Sequence, residues 1–387
     1  ADGAGSRVRK AAGFDMVGPD NIQTYINVHF KANLRELVSG REGILYWVMD
    51  EALTGTFIAH DIDSNWIFMK AVDADEPIDS IDEDKFATLL KASIGADVPI
   101  EIQSMNAWRM TAQISSGYRA GGIFLVGDAA HRFPPTGGIG MNTGFQDAHN
   151  LVWKLGMVER GMAPEILATY EPERKPIAQT NSDQSLHNAL KMIEVAVALD
   201  VDGDQRITAG DIDAVLADPE RLAAVQTAVD AQAEHFNLSG LDLGLCYTGA
   251  AVLEDGPPPV SDNPASNYLP STTPGARLPH ATLLKDGEPI STLDLVPYDH
   301  LLILSQGDRH PGLDAAVETL RGEGVPVHLE MFGSGTAAPP TDDAAFAALF
   351  PADELLLVRP DGHIAGRFRG DNAAQEACRA CAGLWSP

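Results

Sequence analysis

Residues 122–160 read GIFLVGDAAHRFPPTGGIGMNTGFQDAHNLVWKLGMVER, and the fold turns on how that stretch is parsed. The apolar run 122–127 has the composition of a strand and ends at Gly127-Asp128. A loop rich in Pro and Gly follows, HRFPPTGGIGMNTG. A helix then begins, in which Phe145, Ala148, Leu151, Val152, Leu155 and Val158 recur at helical spacing before Gly161 stops it. An acidic side chain where a strand ends can accept hydrogen bonds from sugar-like hydroxyls, and Asp128 has that place. Gly137, Gly138 and Gly140 let backbone approach a flat ligand, because no Cβ intervenes. The helix that follows points its N-terminus at whatever the loop holds, offering unpaired N–H donors and about half a positive charge to an anion.

Working outward, residues 21–110 carry short β-rich runs at 22–30, 44–49, 55–61, 65–72 and 98–105, interrupted by one helix at about 82–95. Such close spacing predicts a mostly antiparallel sheet. Helices are expected through 163–199 and 209–236, then a Pro/Ser-rich linker at 254–279. The last unit alternates strand 301–305, helix 311–322, strand 325–332, helix 342–349, hairpin 354–368 and helix 371–384, the order of a thioredoxin-like α/β domain. The fold class is therefore α+β. Its expected parts are residues 1–20 with 111–200, a sheet domain over 21–110, a helical segment and linker over 201–279, and the α/β unit over 280–387.

With 27 Lys+Arg against 55 Asp+Glu, the 387-residue chain has a formal net charge of −28. A polyanion repels nucleic acid and anionic membranes, so neither is an expected partner. At 44% apolar residues the chain can bury a sizeable core. No apolar run reaches the roughly 20 residues that span a bilayer. Three cysteines, Cys246, Cys378 and Cys381, are too few for a disulfide scaffold and suit a reducing, cytoplasmic setting.

GDAAHRFPPTGGIGMNTGFQDAHNLVWKL (127–155) resembles the GD fingerprint of FAD-dependent aromatic hydroxylases, single-component flavoprotein monooxygenases of the phenol and chlorophenol hydroxylase type. DGAGSRVR (2–9), with Asp2, Gly3, Ser6 and Arg9, is similar to that family's DG motif, and YEPERKPIA (170–178) to its tail. The resemblance implies part of a PHBH-like FAD-binding fold. It also implies NAD(P)H- and O2-dependent hydroxylation of a small phenolic substrate, ortho to the hydroxyl, through a flavin C4a-hydroperoxide. Under it Asp128 binds the ribityl chain and Pro135 packs beside the isoalloxazine. Gly138, Gly140, Met141 and Asn142 present backbone to the pyrimidine edge, where the helix N-terminus favours the negative N1–C2=O locus of reduced flavin. Asp2 touches the FAD pyrophosphate region indirectly and aids NAD(P)H engagement, with Arg9 steadying that turn. The 21–110 sheet roofs the ring, so His60, Trp66 and Phe68, in the strand run that also holds Trp47, are its substrate candidates; ordinary sheet core is the competing assignment. No side chain is singled out as the catalytic base.

Members of the family start with a βαβ unit bearing G-x-G-x-x-G, and no segment of this sequence matches it. The expectation is that the chain is the C-terminal portion of the enzyme, working with an N-terminal FAD-binding fragment and forming a homodimer. Two alternatives stay open: a flavin-free remnant acting in binding or dimerisation, and a flavin monooxygenase of polyketide type. DVDGDQRITAGD (200–211) resembles a calcium loop, with Asp200, Asp202, Asp204 and Asp211 as oxygen ligands for a structural ion. Gln205 and Asp211 depart from that pattern, and an acidic helix–helix loop is the competing reading. Cys378-x-x-Cys381 falls in the terminal helix, not after the first strand of the last unit at Gly307–Pro311, so a structural role is expected. His131 and His149 flank the loop, positions more often structural than catalytic.

Overall fold

The computed structural model describes residues 1–49, 53–72, 82–199, 209–285, 287–306, 310–332 and 348–386. Near the N-terminus, Ser6 caps the short helix α1 (Arg7–Ala11), and strand β1 (Met16–Val17) follows. Period-two alternation then folds as one five-stranded antiparallel sheet. Its strands are β2 (Gln23–Lys31), β3 (Leu45–Val48), β4 (Gly55–Asp61), β5 (Asn65–Val72) and β6 (Glu101–Met110), in the order β3-β4-β5-β2-β6. A single turn, α2 (Arg35–Val38), lies between β2 and β3. Helix α3 (Glu83–Ile94) starts at Asp82, whose carboxylate accepts from the Asp84 and Lys85 amides, and ends at Gly95 in the left-handed region.

One face of this sheet is core. Ile26, Val28, Phe30, Phe57, Trp66 and Phe68 pack against Phe86 and Leu90 of α3. Trp66 is 1% and Phe68 0% exposed, so neither reaches a ligand on the opposite face. This corrects their assignment as substrate residues, because period two gives alternate residues of β5 to the helix-covered side. His60 sits at the register shift between Ala59 and Asp61 and is exposed. The bulge removes it from the alternation that paired it with Ile58.

Strand β7 (Gln113–Ser115) pairs with β1 and with β10 (His131–Arg132), in the order β1-β7-β10. The expected strand at 122–127 is regular only over β9 (Ile123–Phe124), which pairs with β8 (Arg119–Ala120). A strand needs a ladder partner, and among the described residues only that short segment supplies one.

Helix α4 (Ile139–Glu159) buries Leu151 and half-buries Ala148 and Val158 of the apolar positions its spacing suggests, but leaves Phe145, Val152 and Leu155 exposed and turns a mixed polar stripe inward. Thr143, Asp147, Asn150, Leu151, Trp153, Lys154 and Met157 face inward, while Phe145 is 66% and Val152 63% exposed, with Met141 and Leu155 beside them. Val152→Ser is therefore expected to change the unfolding free energy by less than about 0.5 kcal/mol, as for an ordinary surface position. A loss above about 2 kcal/mol in denaturant titration would mean the stripe is core. A 3-10 turn (Pro164–Thr169) leads into α5 (Tyr170–Ala198), followed by α6 (Ala209–Ala217), α7 (Pro219–Asp230), α8 (Ala233–Phe236) and α9 (Ser239–Leu243).

The 254–279 stretch has no regular element, yet it is fastened to the last unit: Gly275 N–H donates to Ile364 O and Leu278 N–H to Gly362 O, with Leu253 N–H just before it donating to Ala365 O. A hairpin, β11 (Thr282–Lys285) and β12 (Glu288–Ser291), precedes a four-stranded sheet of β13 (Leu301–Gln306), β14 (Val327–Phe332), β15 (Glu354–Val358) and β16 (Ile364–Arg369). Its order is β14-β13-β15-β16, with β13 and β14 parallel and the other pairs antiparallel. Helices α10 (Leu313–Gly322) and α11 (Ala373–Trp385) cover one face, and Trp153 and Met157 of α4 join the same apolar cluster. The α4 helix is thus shared between the two halves of the chain. Most of the helix expected at 342–349 lies outside the described residues, as do residues 307–309. Among the described residues, no helix is long and apolar enough to cross a membrane.

Candidate functional site

The two fingerprint segments meet. Arg9, buried, donates from Nη1 to Ala129 O at 2.9 Å and from Nη2 to Ala4 O at 3.1 Å. Arg132 donates to Ala4 O and, at 3.3 Å, to Gln113 Oε1. Residues 2–9 and 127–132 therefore form one backbone surface, and Arg9 steadies the far loop as well as its own turn. Asp2 caps its own helix: its carboxylate accepts from Ser6 Oγ at 2.5 Å and from the amides of Arg7 at 2.8 Å and Val8 at 3.2 Å. Those donors, the Ser6 hydroxyl first, hold its pKa down to about 2.

The loop begins at Gly127 (φ +62°), where the chain passes so close to α4 that a Cβ on Gly144 would lie 3.2 Å from the Gly127 Cα. Gly127 N–H donates to Asp147 Oδ2 at 3.1 Å, and His131 Nε2 donates to the same oxygen at 3.0 Å. His131 is buried and stacks on Phe133, with centroids 4.5 Å apart, so it supports the loop from behind. His149 is exposed on α4. Asp128 faces outward, and among the described residues its carboxylate takes no hydrogen bond.

Helix α4 starts at Gly138 in the left-handed region (φ +67°), with no side chain capping its amides. The glycine is needed because a β-carbon is disfavoured in that conformation. Asn142 Nδ2 turns back onto Gly138 O at 3.1 Å. Pro135, Gly138, Met141 and Asn142 are exposed around this helix start and Gly140 is half-buried. Free amide donors, a helix N-terminus and an unpartnered Asp128 suit a ligand carrying both hydroxyls and an electron-poor, anion-forming ring.

The face of the five-stranded sheet opposite α3 carries the row Trp47, Thr56, Met69, Asn27 and Asn106, directly paired across all five strands. Tyr25 and Trp108 stack there at 5.0 Å and 17°, and Trp108 Nε1 donates to Asn27 Oδ1 at 2.9 Å. His29 Nε2 lies 2.6 Å from Asn65 Oδ1. Trp47 reaches Phe236 of α8 at 6.0 Å. These are the side chains a ligand on the sheet would meet. Apart from Trp47, they were missed because their mixed polarity reads as solvent-facing strand.

Behind the loop runs a buried ionic network that sequence reading did not find. Arg174 Nε donates to Asp147 Oδ1 at 2.8 Å and Nη1 to Tyr247 Oη at 3.1 Å. Its neighbour Glu173 accepts from Asn150 at 2.6 Å, from Lys154 at 2.7 Å and from the Arg359 fork at 2.8 and 3.0 Å. Asp361 accepts from Arg359 at 2.5 Å and from Trp153 Nε1 at 3.0 Å. The cations Arg174, Lys154 and Arg359 balance Asp147, Glu173 and Asp361, three against three. Burial raises the carboxylate pKa values, but the adjacent cations and hydrogen bonds outweigh it and hold all three below the ordinary range. The signal lay in Asp147, Asn150 and Lys154, which follow one another on α4 by three and then four residues.

Cys381 and Cys378 are buried in α11, and burial pushes both thiols up, away from the thiolate needed for redox work. Asp200, Asp202 and Asp204 lie outside the described residues, as does the side chain of Asp211.

Two family profiles match the chain: one described as FAD binding domain over residues 1–185, and one described as aromatic-ring hydroxylase, C-terminal, over 271–385. The chain is 29% identical to a 2,4-dichlorophenol 6-monooxygenase of Delftia acidovorans, over 95% of this chain and 66% of that protein. It is 31% identical to a tetracenomycin B2 monooxygenase-dioxygenase of Streptomyces olivaceus, over 97% and 63%. It thus spans about two thirds of the length of these relatives. The crystal structure of the flavin-dependent monooxygenase PieE in complex with FAD and substrate superposes with a TM-score of 0.89 at 29% identity, covering 100% of this chain and 69% of that one.

Proposed function

The chain belongs to the FAD-dependent aromatic-ring hydroxylases, and from that premise we propose that it serves the NAD(P)H- and O2-dependent hydroxylation of a phenolic ring. In this reading Asp128 and the 135–142 loop hold the flavin, and the open sheet face holds the substrate. The observation that carries it is the exposed, unpartnered Asp128 in a loop packed on α4, whose start is uncapped, with Arg9 tying the two fingerprint segments together. When bound, FAD accepts a hydride from NAD(P)H and activates O2 for transfer of one oxygen atom to the ring.

The chain's own residues bind and orient. Asp128 accepts from ribityl hydroxyls. The free amides at the start of α4 would hold the pyrimidine edge of the flavin and stabilise negative charge there. The sheet would cover the bound ring and exclude water. A second chain segment bearing a dinucleotide-binding βαβ unit completes the cofactor site in this proposal. Support for it is the apolar stripe of Met141, Phe145, Val152 and Leu155, which a packed partner would cover.

A polycyclic phenol suits the sheet better than a single ring. Five strands at about 4.8 Å spacing make the Trp47-to-Asn106 row roughly 19 Å wide, far broader than one phenol.

Titrating FAD into the chain, alone and mixed with a βαβ-bearing segment, tests the cofactor seat through the flavin absorbance bands. Asp128→Ala is expected to weaken binding about tenfold to hundredfold, the value of hydrogen bonds to a charged acceptor. Equal affinity in the variant, or no uptake in either setting, would overturn the reading.

A further inference from the structure

We propose that Arg359 and Tyr247 are positioning residues for the 127–131 loop: the last unit, through Arg359, and the segment before it, through Tyr247, brace that loop by a chain of buried polar contacts. The link to the cofactor rests on reading this loop as the flavin seat. The bracing itself does not.

Arg359 leaves the end of β15 and grips Glu173 with both arms of its guanidinium, while Asp361 accepts from its Nε and Nη2. Glu173 and Arg174 are consecutive on α5, so what holds one holds the other. Tyr247 is the second tie. Its ring lies 5.1 Å from the Arg359 guanidinium carbon and 5.9 Å from that of Arg174, against His363 at 4.3 Å, and its hydroxyl accepts from Arg174. Arg174 then fixes Asp147 through Oδ1, and Asp147 Oδ2 holds Gly127 N–H and His131. Arg359, Glu173, Arg174, Asp147 and His131 are fully or almost fully buried.

Water cannot replace a partner that moves inside this network, and an unpaired buried charge costs several kcal/mol. The members therefore shift together or not at all. An apolar core of similar volume is often as stable as a buried ion network. What the network adds is geometry, since each donor and acceptor has one place to be. Directly after Gly127 comes Asp128, the residue whose direction matters most to a bound ribityl chain.

The test uses the 387-residue chain with Tyr247→Phe, which removes one acceptor and keeps the ring, and Arg359→Lys, which keeps the charge and loses the fork. Hydrogen exchange read by mass spectrometry without added flavin should show the amides of 127–131 exchanging about tenfold faster in each variant. Exchange in β15 and β16 of Tyr247→Phe should stay within about twofold of the parent. Unchanged 127–131 exchange in Tyr247→Phe would overturn the proposal, as would a uniform rise across α5 and β15, which marks general loosening. Should Arg359→Lys fail to fold, Tyr247→Phe decides alone. FAD titration of the same variants separates the two readings. Faster loop exchange with unchanged FAD affinity would keep the brace and sink the flavin seat, whereas weaker FAD binding with faster exchange supports both.

Discussion

Arg359→Met is expected to destabilise the chain by about 3–5 kcal/mol, the cost of removing one partner from a buried ion pair. The guanidinium is fully buried and satisfies two carboxylates, Glu173 at 2.8 Å and Asp361 at 2.5 Å. Without it the network changes from three cations against three carboxylates to two against three, an uncompensated negative charge in a region water does not reach. Lys154, already committed to Glu173, cannot cover both. Arg359→Lys should cost less, because the charge remains and only the bidentate geometry goes. Urea unfolding of the two variants measures the difference. A loss below about 1 kcal/mol for Arg359→Met would mean that the carboxylates find other partners or take up protons at little cost.

Stability should also fall by about 3 kcal/mol as pH drops from about 6.5 to about 4, with His363 as the principal source. Burial holds the folded His363 pKa down to about 4, against 6.5 for a free side chain. Between those values the unfolded chain binds a proton that the folded one refuses. The unfolded state thus holds more protons, so stability rises with pH across that window and is lost on the way down. A gap of roughly 2.5 pKa units is worth about 3 kcal/mol at 1.36 kcal/mol per unit. His235 and His310, also lowered by burial, add to the same slope. Below about pH 4 the carboxylates of Asp147, Glu173 and Asp361 take over: their folded values lie below the ordinary range, so their contribution vanishes as pH falls through those values. Unfolding midpoints taken from pH 7.5 to 4 test this, and His363→Gln should flatten most of the slope. An equally steep slope in that variant would put the titration elsewhere.

The sheet over 23–110 was legible because its residues alternate with period two and its turns carry Gly, Asp and Ser; the expected strands agree with β2 to β6 to within a few residues except at the start of β6 and the end of the 98–105 run. Which side of that sheet faces α3 was not, since alternation fixes two faces without saying which is covered. Trp66 and Phe68 were offered to the substrate when they belong to the core. Helix α4 was harder. The expected apolar positions Phe145, Ala148, Leu151, Val152, Leu155 and Val158 advance by three, three, one, three and three residues, and Thr143, Asp147, Asn150 and Lys154 by four, three and four. Both stripes have helical period, and hydrophobicity alone finds Leu151 and Val158 at the edge of the buried face while missing its polar centre. The polar stripe is inside because Arg174 and Glu173, some twenty residues on, and Arg359, some two hundred on, meet it. No local pattern announces a partner that distant. In the loop, Asp128, Pro135, Gly138, Met141 and Asn142 are each exposed, whereas the service of Asp2 as a helix cap appears only in three dimensions.

The balance inside the network has a counterpart outside it. Three positive and three negative groups cancel, so none of the chain's −28 originates there. Ionic strength acts on charges that face solvent and hardly at all on those sealed from it. Added salt thus softens mutual repulsion across the exterior while the interior lattice keeps its full strength, and the molecule has two electrical compartments, one tunable by its surroundings and one fixed by its sequence.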